Sequence, residues 1–443
     1  MLSVEVVIPI VCLGILSCAA RVTLGSWLAP GAFFPLFWTA LLLLSLVEAE
    51  RYPIWAPALW WIDATILIFF VGSLIAKGSA VRKRQGPVPQ PKPIQLPYIE
   101  LLIVTCSVLG LCYIVFRESV APDIFDEPPK WFQPLLSALY AGPVFGGMLL
   151  GSEPPRRRRK ILAFISLAPT LIYSVAYLGR SPMLAGLFHC YAGFSIARAY
   201  SLEGRAPLIG LKTFALAAAV LIGTSAVGMA IGIMKRVDYP SSLRDRVMGY
   251  GEVLQDSDPE REWGNFKNSV FAHPYVFSHY LRHALDHPPT PRNGLLIFGG
   301  PLQLLGVHER TPFEDFQVDP GVQSNVYTLF RPPIDDFGLA GSFISFLIAG
   351  LLAGWAYRQI SRGKMLFAPI LTAFYPHVLI VGGYFFAYNT LVLCHVIVGT
   401  YLFFAHWKLR PRLAPRLWKH RTLASTATTS RIVRAEPFHN VPR

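Results

Sequence analysis

A short stretch of this chain, Ser324 to Gly338 (SNVYTLFRPPIDDFG), gathers side chains of several chemical types. Asn325, Tyr327 and Thr328 supply hydrogen-bonding groups. Arg331 is a fixed positive charge whose planar fork suits a phosphate. Asp335 and Asp336 form a carboxylate pair able to take a proton from a hydroxyl. An apolar run of membrane-spanning length begins at once after them, so the whole group is expected at a membrane surface. A structural reading of the carboxylates stands beside the chemical one: Asp336 at a helix start complements the helix dipole and caps it. The two are compatible.

That stretch closes a segment of roughly a hundred residues, from about Lys235 to Asp336, that contains no spanning-length apolar run. So long a connection predicts a folded subdomain rather than a bare loop. Ser241 to Met248 is expected to start a short helix, and Gly251 to Gly264 reads as turns. From near Pro274, the spacing of Phe277, Tyr280, Leu281, Ala284 and Leu285 predicts an amphipathic helix. His279, His283 and His287 recur every fourth residue on one face of it. Two histidines so spaced can chelate a metal. No cysteine or carboxylate cluster completes a site, so the face is predicted to meet solvent or substrate. Arg282 falls on a different face. Arg292 to Gly306 is apolar but too short to span and is broken by Gly299-Gly300-Pro301. It either packs on the membrane helices or dips into the interface.

The frame around this segment is a membrane protein's. The chain has 443 residues, of which 53% are hydrophobic and only 15% charged, and its mean hydropathy is +0.44. That composition excludes an ordinary soluble domain. Eleven apolar runs are long enough to be spans, near 3–20, 31–48, 57–76, 98–116, 132–151, 161–179, 182–198, 213–234, 337–357, 365–385 and 390–406. The predicted class is an all-α polytopic membrane protein. Spans one to eight fall in 1–234, the loop subdomain in 235–336, spans nine to eleven in 337–406 and a basic tail in 407–443.

Basic residues set the orientation. One set of short loops carries seventeen, including Arg82-Lys83-Arg84 and Arg156 to Lys160, and the other set carries four: Arg51, Arg117, Lys130 and Arg180. The richer set faces the cytoplasm, which places the N-terminus and the large segment outside and the C-terminus inside. The net charge of +14 is therefore topological and does not predict nucleic-acid binding. The six cysteines all lie in apolar runs, with no disulfide framework and no metal-type spacing among them. The first run has no basic residue before it, so no cleaved signal peptide is expected. Four polar residues inside spans, Asp63, His189, His377 and His395, are far apart in sequence and are expected to serve packing or interhelical hydrogen bonds. The Ser/Thr-rich tail after Trp407 has no hydrophobic period and predicts disorder near the lipid headgroups.

With these residues in view, the chain resembles the oligosaccharide repeat-unit polymerases, the Wzy-type O-antigen and exopolysaccharide polymerases. Asn325-Val326-Tyr327-Thr328, then Asp336-Phe337-Gly338, then a span with Gly341, Gly350 and Gly354 follow that family's order. Gly179-Arg180-Ser181 looks like its G-R element. Pro332-Pro333 stands where an aromatic pair is common in the family. The resemblance implies a GT-C-like architecture with one large periplasmic loop in a bacterial inner membrane. It also implies transfer of a growing glycan from a polyprenyl diphosphate to the next lipid-linked repeat unit.

On that implication, Arg180 and Arg331, with Arg282 and Arg292, would meet diphosphate. Asp336, then Asp335, then a loop histidine such as His283 or His308, would act as base. Tyr280, Tyr327, Trp263 and Asn325 would line a sugar path. No D-x-D metal motif or nucleotide-sugar pattern is visible, so neither metal nor cofactor is expected. Implied partners are polyprenyl-diphosphate-linked oligosaccharide, membrane lipids, a chain-length regulator and a flippase. An O-antigen ligase and a transporter or flippase are the alternative readings. The ligase shares the topology. Transporters more often show internal repeats and mid-membrane charges.

Overall fold

Between Asp63 and Lys77 the chain has no charged side chain, and the same apolar character recurs in five other helices. In the computed structural model these become helices long and apolar enough to cross a membrane: six of them among the described residues. The residues described are 4–50, 52–77, 98–120, 132–152, 157–176, 180–201, 273–306, 316–319, 322–324, 329–379 and 393–404. The six are α1 (Val4–Leu24), α3 (Ala56–Lys77), α4 (Ile99–Val120), α5 (Gln133–Gly151), α6 (Arg157–Ala176) and α10 (Arg331–Ser361).

Between them stand α2 (Pro30–Ser45) and α7 (Arg180–Ser201), followed in the loop by α8 (His273–Asp286) and α9 (Gly299–Leu304). After α10 come α11 (Ala368–Leu379) and a last apolar helix α12 (Leu393–Phe404). Over their described residues the other predicted runs coincide with helices, whereas that at 213–234 lies outside the described residues, as do 380–385 of the run at 365–385, 241–264 and the tail after Trp407. The loop also contributes one short antiparallel hairpin, β1 (Phe316–Asp319) with β2 (Val322–Ser324), and the described residues are otherwise in helices, turns or short connections.

The surface is consistent with the membrane class. Val22, Phe164, Ile344 and Ile348 are among many large apolar side chains left outside the core. Water would penalise such a belt, and hydrocarbon would not.

Close helix crossings fix the relative directions. Ser73 Oγ donates to the Gly350 carbonyl at 3.1 Å, and Arg358 donates to the Ala76 carbonyl at 3.0 Å. Hence α3 and α10 run parallel. Lys77 reaches the Thr23 carbonyl, so α1 runs with them. Arg158 pairs with Glu100 at one end of α4 and α6, and Arg117 meets Tyr173 at the other, which makes those two parallel. These directions agree with the alternation that the basic residues predict.

The crossing of α5 with α7 is the tightest. A Cβ on Gly147 would stand 1.8 Å from the Cys190 carbonyl oxygen, and one on Gly193 would stand 2.0 Å from that of Val144. Small residues let the two backbones touch, as membrane helix pairs commonly require. Gly147→Val should force them apart, costing about 1–3 kcal/mol or more. The expected result is a lower unfolding midpoint in detergent. An unchanged midpoint would mean that these backbones are not in contact.

Candidate functional site

The stretch that carries the chemistry is built around a broken helix. Pro332 and Pro333 occupy the first turn of α10, where a missing N–H costs nothing and the fixed φ favours the helix. Seven residues after Arg331, Gly338 adopts φ 72° and ψ 178°, a conformation that only glycine takes without strain. Nothing lies within 4 Å of where its Cβ would be, so backbone conformation rather than space requires glycine. The break ends a short helix over 331–337 before the span proper. It also interrupts the helical ladder, which releases the carbonyls of the preceding turn. Two of these accept other donors: Arg292 N–H donates to the Asp335 carbonyl at 3.1 Å, and Asn293 N–H to that of Asp336 at 3.0 Å.

The two carboxylates, adjacent in sequence, have different surroundings. Asp336 is fully buried, and its oxygens accept the backbone N–H groups of Leu296 at 3.1 Å and Ile297 at 2.8 Å. It does not cap the span that follows the break, because both its oxygens are taken by amides outside that helix. It fastens the segment 292–298 instead. Asp335 is 6% exposed. Its Oδ1 accepts the Tyr280 hydroxyl at 2.5 Å, and its Oδ2 accepts Arg331 Nε at 3.0 Å. The Arg331 guanidinium also lies 4.9 Å from the centre of the Tyr280 ring, within cation–π range. Burial, then the Asp335 charge and hydrogen bond, push the Tyr280 phenol well above its usual range against the opposing pull of Arg331 and Arg292. Tyr280 is thus a hydrogen-bond donor throughout the physiological pH range.

Tyr280 reaches this place because α8 is docked on the membrane helices by its apolar face. Trp55 N–H donates to Ser278 Oγ at 3.3 Å, and the Tyr52 and Tyr275 rings lie 5.6 Å apart. Phe330, fully buried, sits at the centre of the joint. Its ring is 4.7 Å from Trp38, 5.4 Å from Phe277 and 5.5 Å from Phe346. The predicted helix from Pro274 therefore forms with Phe277, Tyr280, Leu281 and Ala284 inward, whereas Leu285, expected on the same face, lies past its edge and is exposed. Its opposite face leaves Arg282, His283 and His287 exposed, with the His283 and His287 rings 5.1 Å apart.

The segment from Arg292 to Gly306 forms turns and the single-turn α9. Phe298 is 51% and Leu305 76% exposed, and Leu295 and Phe337 are also turned outward. These apolar side chains lie directly beside the start of a span, as an element dipping into the interface would present them.

The structure thus joins Arg331, Asp335 and Tyr280 in one network, sets the half-buried Arg292 in electrostatic range of Tyr280 and Asp336, and leaves Arg282 and His283 outside that network on the solvent face. Arg180 is the first residue of α7. Tyr200, near the end of α7, lies 3.9 Å from where a Cβ on Gly363 would be, just past the end of α10. The two helices end together at one face, so Arg180 and Arg331 begin them at the other. Asn325, Tyr327, Trp263 and His308 lie outside the described residues.

Sequence reasoning missed the roles of the Leu296 and Ile297 amides, which no side-chain type reveals. It also left His189 and His395 apart. They meet, with ring centres 6.0 Å apart, and with Cys394 they form the one His/Cys/carboxylate group of metal-binding spacing among the described residues.

A comparison of the chain with known protein families, curated proteins and solved structures finds no match to any of them.

Proposed function

We propose that the protein is an inner-membrane glycosyltransferase that polymerises lipid-linked oligosaccharide repeat units for O-antigen or exopolysaccharide synthesis. The observation that carries this reading is the buried network of Arg331, Asp335 and Tyr280, with Arg292 near it. It lies at the mouth of a span, beside an exposed apolar segment and on the face where Arg180 begins its helix. A lipid diphosphate needs clustered cations at headgroup height and an apolar surface for its tail, and this corner offers both.

In the proposed step, the bond from the donor sugar's anomeric carbon to the diphosphate oxygen breaks, and the electron pair leaves with the diphosphate. Arg331, Arg292 and Arg180 stabilise that developing charge. A hydroxyl of the acceptor repeat unit forms the new glycosidic bond and gives its proton to Asp335. Asp336, with both oxygens engaged by amides, holds the segment 292–298 that carries Arg292. Tyr280 and the Arg331 side chain keep Asp335 in place. The outer face is then the periplasm, and the C-terminal tail lies in the cytoplasm.

Purified protein supplied with a polyprenyl-diphosphate-linked repeat unit should produce a ladder of lengthening glycans. In a deletion strain, the ladder should vanish while single units still reach the final acceptor. Loss of all attachment would indicate a ligase instead. A protein that moves the lipid-linked unit across vesicles without forming a new bond would indicate a carrier.

A further inference from the structure

Inside the bundle, far in sequence from the loop, α7 and α12 bring together His189, Cys394 and His395. Their ligand atoms all lie within 4.8 Å of one another. His189 and Cys394 are completely buried, and His395 is half-buried. The arrangement has the supporting contact that metal-bound histidines usually show: His189 Nδ1 lies 2.6 Å from the Ala185 carbonyl oxygen. A proton on Nδ1 satisfies that contact and assigns Nε2 to coordination. The Tyr140 ring packs on His189 at 5.6 Å, which holds the imidazole in position.

We infer that His189, Cys394 and His395 form a three-coordinate site for a soft monovalent cation, Cu(I), buried within the membrane-spanning bundle. The donor set is imidazole and thiolate, which selects soft or borderline metals over magnesium or calcium. Charge selects among those. One thiolate, two neutral imidazoles and Cu(I) sum to zero, whereas Zn(II) with the same donors leaves a net positive charge where no water can solvate it. Zinc would also want a fourth ligand. Cys106, in electrostatic range of Cys394, is not part of the close group. Bond lengths of about 2.0–2.3 Å require the three donor atoms to close in by roughly 1 Å, within reach of small rotamer adjustments. Binding releases one proton, from the Cys394 thiol, to solvent. The metal would tie α7, which begins at Arg180, to the last described helix.

The test uses the full-length protein in detergent under anaerobic conditions, with Cu(I) supplied as its bicinchoninate complex. One equivalent should leave the chelator for the protein, and X-ray absorption of the loaded wild type should show one sulfur and two nitrogen neighbours. Cys394→Ser and His189→Phe, checked for an unchanged size-exclusion profile, should each lose the binding. Cys12→Ser, an exposed cysteine elsewhere, should retain it. No copper withdrawn by the wild type, a first shell without sulfur, or zinc bound in preference to copper would each overturn the assignment. The absorption measurement on wild type decides the matter even if a variant fails to fold.

Discussion

Arg331→Ala, expressed at wild-type level in a cell lacking the native copy, is expected to leave single repeat units on the acceptor and no ladder above them. The expected loss is at least about 100-fold, the scale seen when one preorganised donor to a developing charge is removed. A cation in the first turn of a helix opposes the helix dipole, so helix stability by itself would favour Asp or Glu at that place. Arg331 is held there by Asp335 at 3.0 Å and by the Tyr280 ring, contacts that offset the unfavourable dipole.

Arg331→Lys keeps the charge but loses the planar fork, and it should restore activity only in part. Arg180→Ala should match Arg331→Ala if both meet the same diphosphate. Normal ladders from both well-expressed alanine variants would remove the diphosphate assignment. A fall in unfolding midpoint that tracks the loss of ladder would give Arg331 a purely structural role.

Asp336→Ala is expected to act the other way, on stability before activity. It strips the acceptors from the Leu296 and Ile297 amides, and two bonds to a buried charged acceptor amount to about 3–6 kcal/mol. The segment from Arg292 to Gly306 should then open first, visible as new protease cleavage within it and as a lower unfolding midpoint. Asp336→Asn offers one oxygen acceptor and one amide group that cannot accept, so it should show the same change in weaker form. A base in the reaction would behave differently: Asp336→Asn would then keep the segment closed and the midpoint unchanged while abolishing the ladder. That outcome would return the base role to Asp336, the first choice of the sequence reading, and withdraw it from Asp335.

The amphipathic helix from Pro274 was legible because its signal is local. Phe277, Tyr280, Leu281 and Ala284 repeat at helical spacing and are buried in the structure, while Leu285, assigned to the same face, is exposed. The same holds for the apolar runs and for the relative directions of α1, α3 and α10, since basic residues mark loop ends within the same few residues that they orient. The meaning of Gly338 was less legible. A glycine after Asp336-Phe337 is visible in the chain, but nothing local says that it breaks a helix already begun at Arg331 rather than following a cap at Asp336. The helix start depended on the Pro332-Pro333 pair, which stood out in sequence as a departure from a family pattern and which the structure uses as an ordinary first turn.

By itself, the amino-acid sequence determined that this is a helical membrane protein, where most of its apolar helices lie, and that polar chemistry concentrates where a long loop enters the span after Arg331. These follow from hydropathy and periodicity, which depend on neighbours a few residues away. Only the tertiary structure decided that Asp335 answers to Tyr280, 55 residues distant, while its neighbour Asp336 answers to two backbone amides. It alone brought His189 beside Cys394 and His395. The physical reason is the same in each case: a buried polar atom must find a partner, and which partner it finds depends on which helices pack together, not on what lies beside it in the chain.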